Sequence, residues 1–214
     1  MGERLKEEDL VLSPFQQGAL NELGNIASCH AVTSLAEMTG LTLDIDMPSA
    51  DVVQIAEAKE VIDAEKIVAG ISLQLNGEFT GNLRILFPVK SAFAIIDILM
   101  GKTPGDTKGI ETDMEKSALL EIGNILASSF CDAISDLLQF PLLPSTPSFS
   151  FGMMGAMMED AIIAVSYKEK TDYIILLRCD FTDESKKGFY GYIMLFPRMD
   201  GLKTILNMLD AAVN

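Results

Sequence analysis

NELGNI at residues 21–26 returns as LEIGNI at residues 120–125, 99 positions later, and the plan of the chain follows from this recurrence. At the same offset Pro48-Ser49 matches Pro147-Ser148. Further along, GNLRILFP (81–88) resembles GYIMLFP (191–197), now 109 to 110 positions apart. Each of those runs leads into an apolar, helix-like segment, SAFAIIDILMG and DGLKTILNMLD. The chain therefore reads as two halves of about 90 to 100 residues on one plan, with roughly ten extra residues between motif and last strand in the second.

Each half should hold a long helix, several strands and a short helix. Ser13-Pro14-Phe15-Gln16 reads as N-cap, Pro at N1 and Gln at N3, so the first helix starts at Ser13 and stops at the glycine Gly40. Thr112 and Glu115 form the same capping box for a second helix ending before Pro141. The runs KIVAGISLQL, NLRILFP, AIIAVSY, YIILLRCDF and GYIMLFP are β-branched and aromatic and read as strands, with Asn76-Gly77 as a hairpin turn. The expected fold class is α+β: one pseudo-two-fold domain over 1–214, with a central, largely antiparallel sheet packed by helices. The repeat halves fall at about 13–101 and 112–210, the polar stretch at about 102–111 is their linker, and the two long motif helices lie exposed on one side.

Composition narrows the function. The 214 residues include 31 acidic and 16 basic side chains, a formal charge of −15, with 49% hydrophobic and 22% charged residues. That supports a real core and repels phosphate backbones and anionic membranes, so nucleic acid is not an expected partner. The densest basic spot in the sequence is Lys186-Lys187. Cys29, Cys131 and Cys179 are far apart with no C-x-x-C spacing, which points to a reducing compartment without zinc or structural disulfides. MGERLKEEDLVLS lacks the plan of a signal peptide, Lys6 breaks a myristoylation pattern, and apolar stretches such as 91–101 are too short and charged to span a membrane. A cytoplasmic location is the expectation.

On a helical wheel, Leu119, Ile122, Leu126, Phe130, Ala133 and Leu137 fall within about 100° to 180° of Glu121 and define a buried stripe. Ser117, Glu121 and Asn124 lie on the opposite side. Leu20, Leu23, Ala27, Ala31 and Met38 form the matching stripe of the first helix, with Glu22 and Asn25 opposite. A repeated Asn at an exposed mid-helix position costs a few tenths of a kcal/mol relative to Ala and asks for a reason. Its carboxamide can both donate and accept and so orient a water, while the neighbouring carboxylate can engage a cation on a docked partner. With a single histidine, His30, no Ser–His–Asp set can be assembled.

Ser117-x3-Glu121-x2-Asn124-x22-Pro147 resembles the signature of the CheC-type chemotaxis phosphatases, and Glu22-x2-Asn25-x22-Pro48 repeats it with the same downstream spacing. The resemblance covers essentially the whole chain; one-motif CheX proteins and FliY, with its added domain, match less well. It implies hydrolysis of the aspartyl phosphate of a CheY-type response regulator. In that picture Asn124 and Asn25 position the attacking water, and Glu121 and Glu22 contact the regulator's active-site lysine. Ser117, Pro147 and Pro48 support the motif. The chain would need no cofactor or metal of its own, because Mg2+ would be held by the regulator. The resemblance also implies the deamidase CheD as a further partner. One departure stands out: the first motif has Gly18 where Asp or Ser is wanted, so the second site should be the more active.

Other features carry less. His30 sits at the flank of its stripe and reads as packed, and FGMMGAMMED (151–160) reads as core near a sheet edge. The acidic clusters at 7–9 and 57–60 read as solvated faces, and GKTPGDTKG (101–109) lacks the spacing of a phosphate-binding loop. The alternative to a phosphatase is a non-catalytic chemotaxis adaptor; a self-contained metal hydrolase has no ligand cluster in its favour. Two sites in one chain remove a need to dimerise, so a monomer is expected.

Overall fold

Ser13 caps the first helix as its sequence requires: its hydroxyl accepts from the Gln16 N–H while Gln16 reaches back to the Ser13 N–H. In the computed structural model, which describes residues 12–40, 42–55, 57–58, 62–76, 80–139, 141–166, 173–183 and 188–211, this helix, α1, runs over Pro14–Thr39. Gly40 ends it in the left-handed region at φ 68°. The order continues β1 (Leu43–Gln54), β2 (Ile67–Asn76), β3 (Gly81–Pro88), α2 (Val89–Leu99), α3 (Asp113–Leu138), β4 (Leu143–Pro144) and β5 (Ser148–Met153). Then follow α4 (Met154–Ser166), β6 (Tyr173–Asp183), β7 (Gly188–Pro197) and α5 (Met199–Ala211). α3 opens with the expected Thr112–Glu115 capping box.

The strands form one antiparallel sheet in the order β1-β6-β7-β3-β2, with β5 and the short β4 both pairing with β2. Register ties it together across six strands: Ala50, Leu177, Ile193, Ile85, Ile71 and Phe149 stand in a single transverse row. The row crosses between the halves three times. Ile85 faces Ile193 at the centre, β1 of the first half pairs with β6 of the second, and β5 of the second pairs with β2 of the first. Each half thus completes the other's sheet edge.

Side chains alternate between the two faces of the strands, and each face has its own core. On one face α1, α2, α3 and α5 cover Ile71, Leu83, Ile85, Leu177 and Leu195. On the other, α4 sets Met154, Met157 and Met158 against Val68, Leu86, Met194 and Phe196. Three of the four methionines in 151–160 are therefore core, while Phe151 and Met153 stay half exposed on β5. α3 is long and apolar enough to cross a membrane, yet its apolar side, including Leu126 and Phe130, is buried on the sheet.

Four details differ from the expectations drawn from sequence. AIIAVSY is not a strand: residues 161–166 finish α4, because a short apolar run beside methionines fits a buried helix as well as a strand. α4 lies in the interval where the second half has its extra residues. β1 and β5 are strands that composition does not single out; their pairing comes from the other half of the chain. His30 is exposed rather than packed, and Met38 at the end of the α1 stripe is 37% exposed, since the stripe is covered only as far as Leu35. The acidic run 7–9, Gly77 of the expected hairpin turn and Lys186-Lys187 lie outside the described residues.

The stretch expected to be a linker is pinned. The buried carboxylate of Asp97 accepts the N–H groups of Gly105 (2.6 Å) and Thr107 (3.0 Å). Lys102 Nζ donates to Thr107 Oγ1 at 3.2 Å and to Glu115 Oε1 at 2.9 Å, and Glu115 Oε2 accepts from the N–H groups of Glu111 and Thr112. Lys102 first, then those backbone donors, hold the Glu115 carboxyl at about 2, below its ordinary 4.5. A depressed carboxyl stabilises the fold fully above the unfolded value and loses that contribution as pH falls through the folded one. We therefore expect stability to decline from pH 4.5 toward about 2. Urea midpoints at neutral and acid pH should show a shallower decline for Glu115→Gln.

Candidate functional site

The sheet is the platform and the two motif helices stand on it. Leu119, Ile122, Leu126 and Phe130 bury one side of α3, which turns Ser117, Glu121 and Asn124 outward. All three are exposed, and none has a hydrogen-bond or ion-pair partner among the described residues. Glu121 and Asn124 are three positions apart and so share one helix face. Pro147 is half-buried immediately before β5, the strand that returns the chain to the sheet.

On α1, Leu20, Leu23, Ala27 and Ala31 are buried and Glu22 is exposed. Asn25 is only half exposed, and its Oδ1 is enclosed without a hydrogen-bond partner among the described residues. The two carboxamides differ in their surroundings: Asn124 stands free, and Asn25 is partly withdrawn. Pro48 lies within β1 where the pairing with β6 shifts register, between Asp46 and Ser49. Gly18 faces open space: a Cβ built there meets nothing within 4 Å.

Three positioning features add to those expected from sequence. Gly123, between Ile122 and Asn124, seats α3 on the sheet: a Cβ there would approach Ile71 Cγ1 to 2.7 Å and Ile71 Cβ to 2.9 Å. Its counterpart in the first motif, Gly24, is also buried. The signal for both is a glycine in mid-helix at the same place in each copy, where glycine is otherwise unfavourable. The third feature is on α1, where Asn21 Oδ1 accepts from Ala50 N at 3.3 Å and Gln17 Nε2 donates to Ala50 O at 2.5 Å. These bonds tie the helix carrying Glu22 and Asn25 to β1, the strand that carries Pro48.

The motif face of α3 holds no exposed cysteine; the exposed Cys29 lies on α1. Burial pushes the Cys131 thiol up to about 12 and the Cys179 thiol up to about 11, so neither is a thiolate at neutral pH. Among the described residues no three His, Cys, Asp or Glu side chains converge to hold an ion. What the α3 face offers is a carboxamide that can donate and accept at once, next to a free carboxylate, on a rigid support.

The CheC-like family matches residues 15–50 and 114–151, the two segments that contain the motif helices and run into β1 and β5. CheY-P phosphatase CheC of Bacillus subtilis is 28% identical over 201 residues, covering 92% of this chain and 95% of that protein. Among solved structures, Thermotoga maritima FliY superposes with a TM-score of 0.73 at 20% identity, covering 94% of this chain and 99% of that one. The FliM middle domain from H. pylori gives a TM-score of 0.63 at 12% identity, with 92% and 99% covered, a likeness of fold. The chain is thus similar to the CheC-like family over the two segments that carry its motifs, and to a CheY-P phosphatase CheC over nearly its whole length.

Proposed function

We propose that this protein hydrolyses the aspartyl phosphate of a CheY-type response regulator. The observation that carries the proposal is the free pair Glu121 and Asn124 on a helix held rigid by the sheet. It is supported by the B. subtilis relative, named a CheY-P phosphatase. Asn124 enters the regulator's site and orients the attacking water, and Glu121 meets the lysine beside the phosphate. The regulator supplies magnesium and charge, so this chain adds orientation.

The first site, Glu22 and Asn25, works more slowly. Asn25 has its Oδ1 enclosed, and Gly18 supplies no side chain where the second site has Ser117. Since space is open at Gly18, Gly18→Ser should be accepted without clash and stabilise α1 by roughly 0.5 kcal/mol. In an Asn124→Ala background it should raise the remaining phosphatase rate a few-fold; an unchanged rate would remove Gly18 as the reason for the difference.

A single domain over 1–214, a monomeric state and a cytoplasmic location belong to the same proposal. The strand exchange between halves supports the first of these. The test is phosphate release from a phosphorylated regulator with wild type, Asn25→Ala, Asn124→Ala and the double variant. No acceleration by wild type would overturn the enzyme and leave an adaptor that binds the regulator. CheD, implied by the family resemblance, is tested separately by co-elution.

A further inference from the structure

A groove of about 310 Å³ opens between α2 and the pinned loop at 101–109, and none of its lining residues belongs to the Glu–Asn motifs. Its floor is apolar: Phe93, Ala94 and Ile98 from α2, with Pro104 from the loop. Its rim carries Lys90, Lys102 and Lys108. In a chain of net charge −15 this is a local inversion of sign. It does not show as a basic run, because the three lysines are 6 to 18 positions apart.

Two of the three are available. Lys102 is committed to Glu115 and Thr107, and it holds the wall in place. Lys90 is exposed and has no partner among the described residues. Lys108 is exposed, with its ammonium on the Gly105 carbonyl, a bond that a carboxylate can replace. The wall is rigid because Asp97 and Glu115 satisfy its backbone donors, so an occupant need not order it on arrival. We infer that this groove docks an acidic, amphipathic segment of a partner protein, with one apolar side chain on the Phe93–Ile98 floor and carboxylates on Lys90 and Lys108. The apolar floor selects against a simple anion, and the lysine rim selects against a neutral or basic peptide. Such docking is independent of phosphatase activity at Asn124.

The probe is a fluorescein-labelled synthetic peptide with one central Phe flanked by Asp and Glu, titrated with the full chain and followed by anisotropy. Control peptides carry Ala for Phe, or Lys for every acid. We expect wild type to bind the acidic Phe peptide, and Lys90→Glu with Lys108→Glu to weaken it about tenfold. The all-Lys peptide should bind the charge-reversed double variant better than it binds wild type, while Lys90→Arg with Lys108→Arg keeps wild-type affinity. Both lysines are exposed, so thermal melts should be unchanged. No binding to wild type, equal binding by the double variant, or equal binding of the Ala peptide would each overturn the inference.

Discussion

Asn124→Ala should reduce the acceleration of phosphate release from a phosphorylated CheY-type regulator by about a hundredfold, with the fold intact. A hundredfold is about 2.7 kcal/mol of transition-state stabilisation, the scale of a lost orienting group. The fold is spared because Asn124 is exposed and makes no contact that the helix needs. Alanine is also the better helix former, so the melting temperature should hold or rise slightly. Asn25→Ala should cost far less activity, since its Oδ1 is already withdrawn from solvent. Phosphate release and thermal melting on the same preparations separate these effects; a loss of rate with a lowered melting temperature would mean the substitution had damaged the helix instead.

Gly123→Ala is the substitution with the largest expected effect on stability. An added methyl would stand 2.7 Å from Ile71 Cγ1 and 2.9 Å from Ile71 Cβ and Cγ2. Ile71 cannot yield easily: it is fully buried in the transverse row, between Phe149 and Ile85. Overpacking of this kind costs about 1 to 3 kcal/mol, against up to about 1 kcal/mol regained from replacing a helical glycine. A net loss of about 1 to 2 kcal/mol should lower the melting temperature by several degrees. Because α3 must lift or slide to relieve the contact, Asn124 moves too, and phosphatase activity should fall although Asn124 is unchanged. Gly18→Ala gives the contrast: the same chemical change on α1, in open space, should stabilise the protein.

Much of the candidate site is legible in the residues themselves. The caps at Ser13 and Thr112 are local, since each needs only a side chain and the backbone of the next turn, and both form in the structure. The outward placement of Glu121 and Asn124 follows from helical periodicity, which depends on the buried stripe and not on what covers it. The exposure of His30 and the helical state of 161–166 run against expectation for the converse reason. Periodicity says which side of a helix is apolar, not how wide a face its neighbours cover, and a short apolar run suits either kind of element.

That the Glu-x2-Asn motif stands twice in the chain, where its long helices start, and which carboxylate and carboxamide each presents are all encoded within a few residues. How the halves interlock, each lending a strand to the other, is a matter of tertiary structure, because strands paired across the two halves leave no local trace of each other. Packing also makes the two sites unequal, enclosing Asn25 Oδ1 and leaving Asn124 free. The gathering of Lys90, Lys102 and Lys108 around one groove in an acidic chain has the same origin, since charge in space depends on where the backbone returns and not on the order of residues along it.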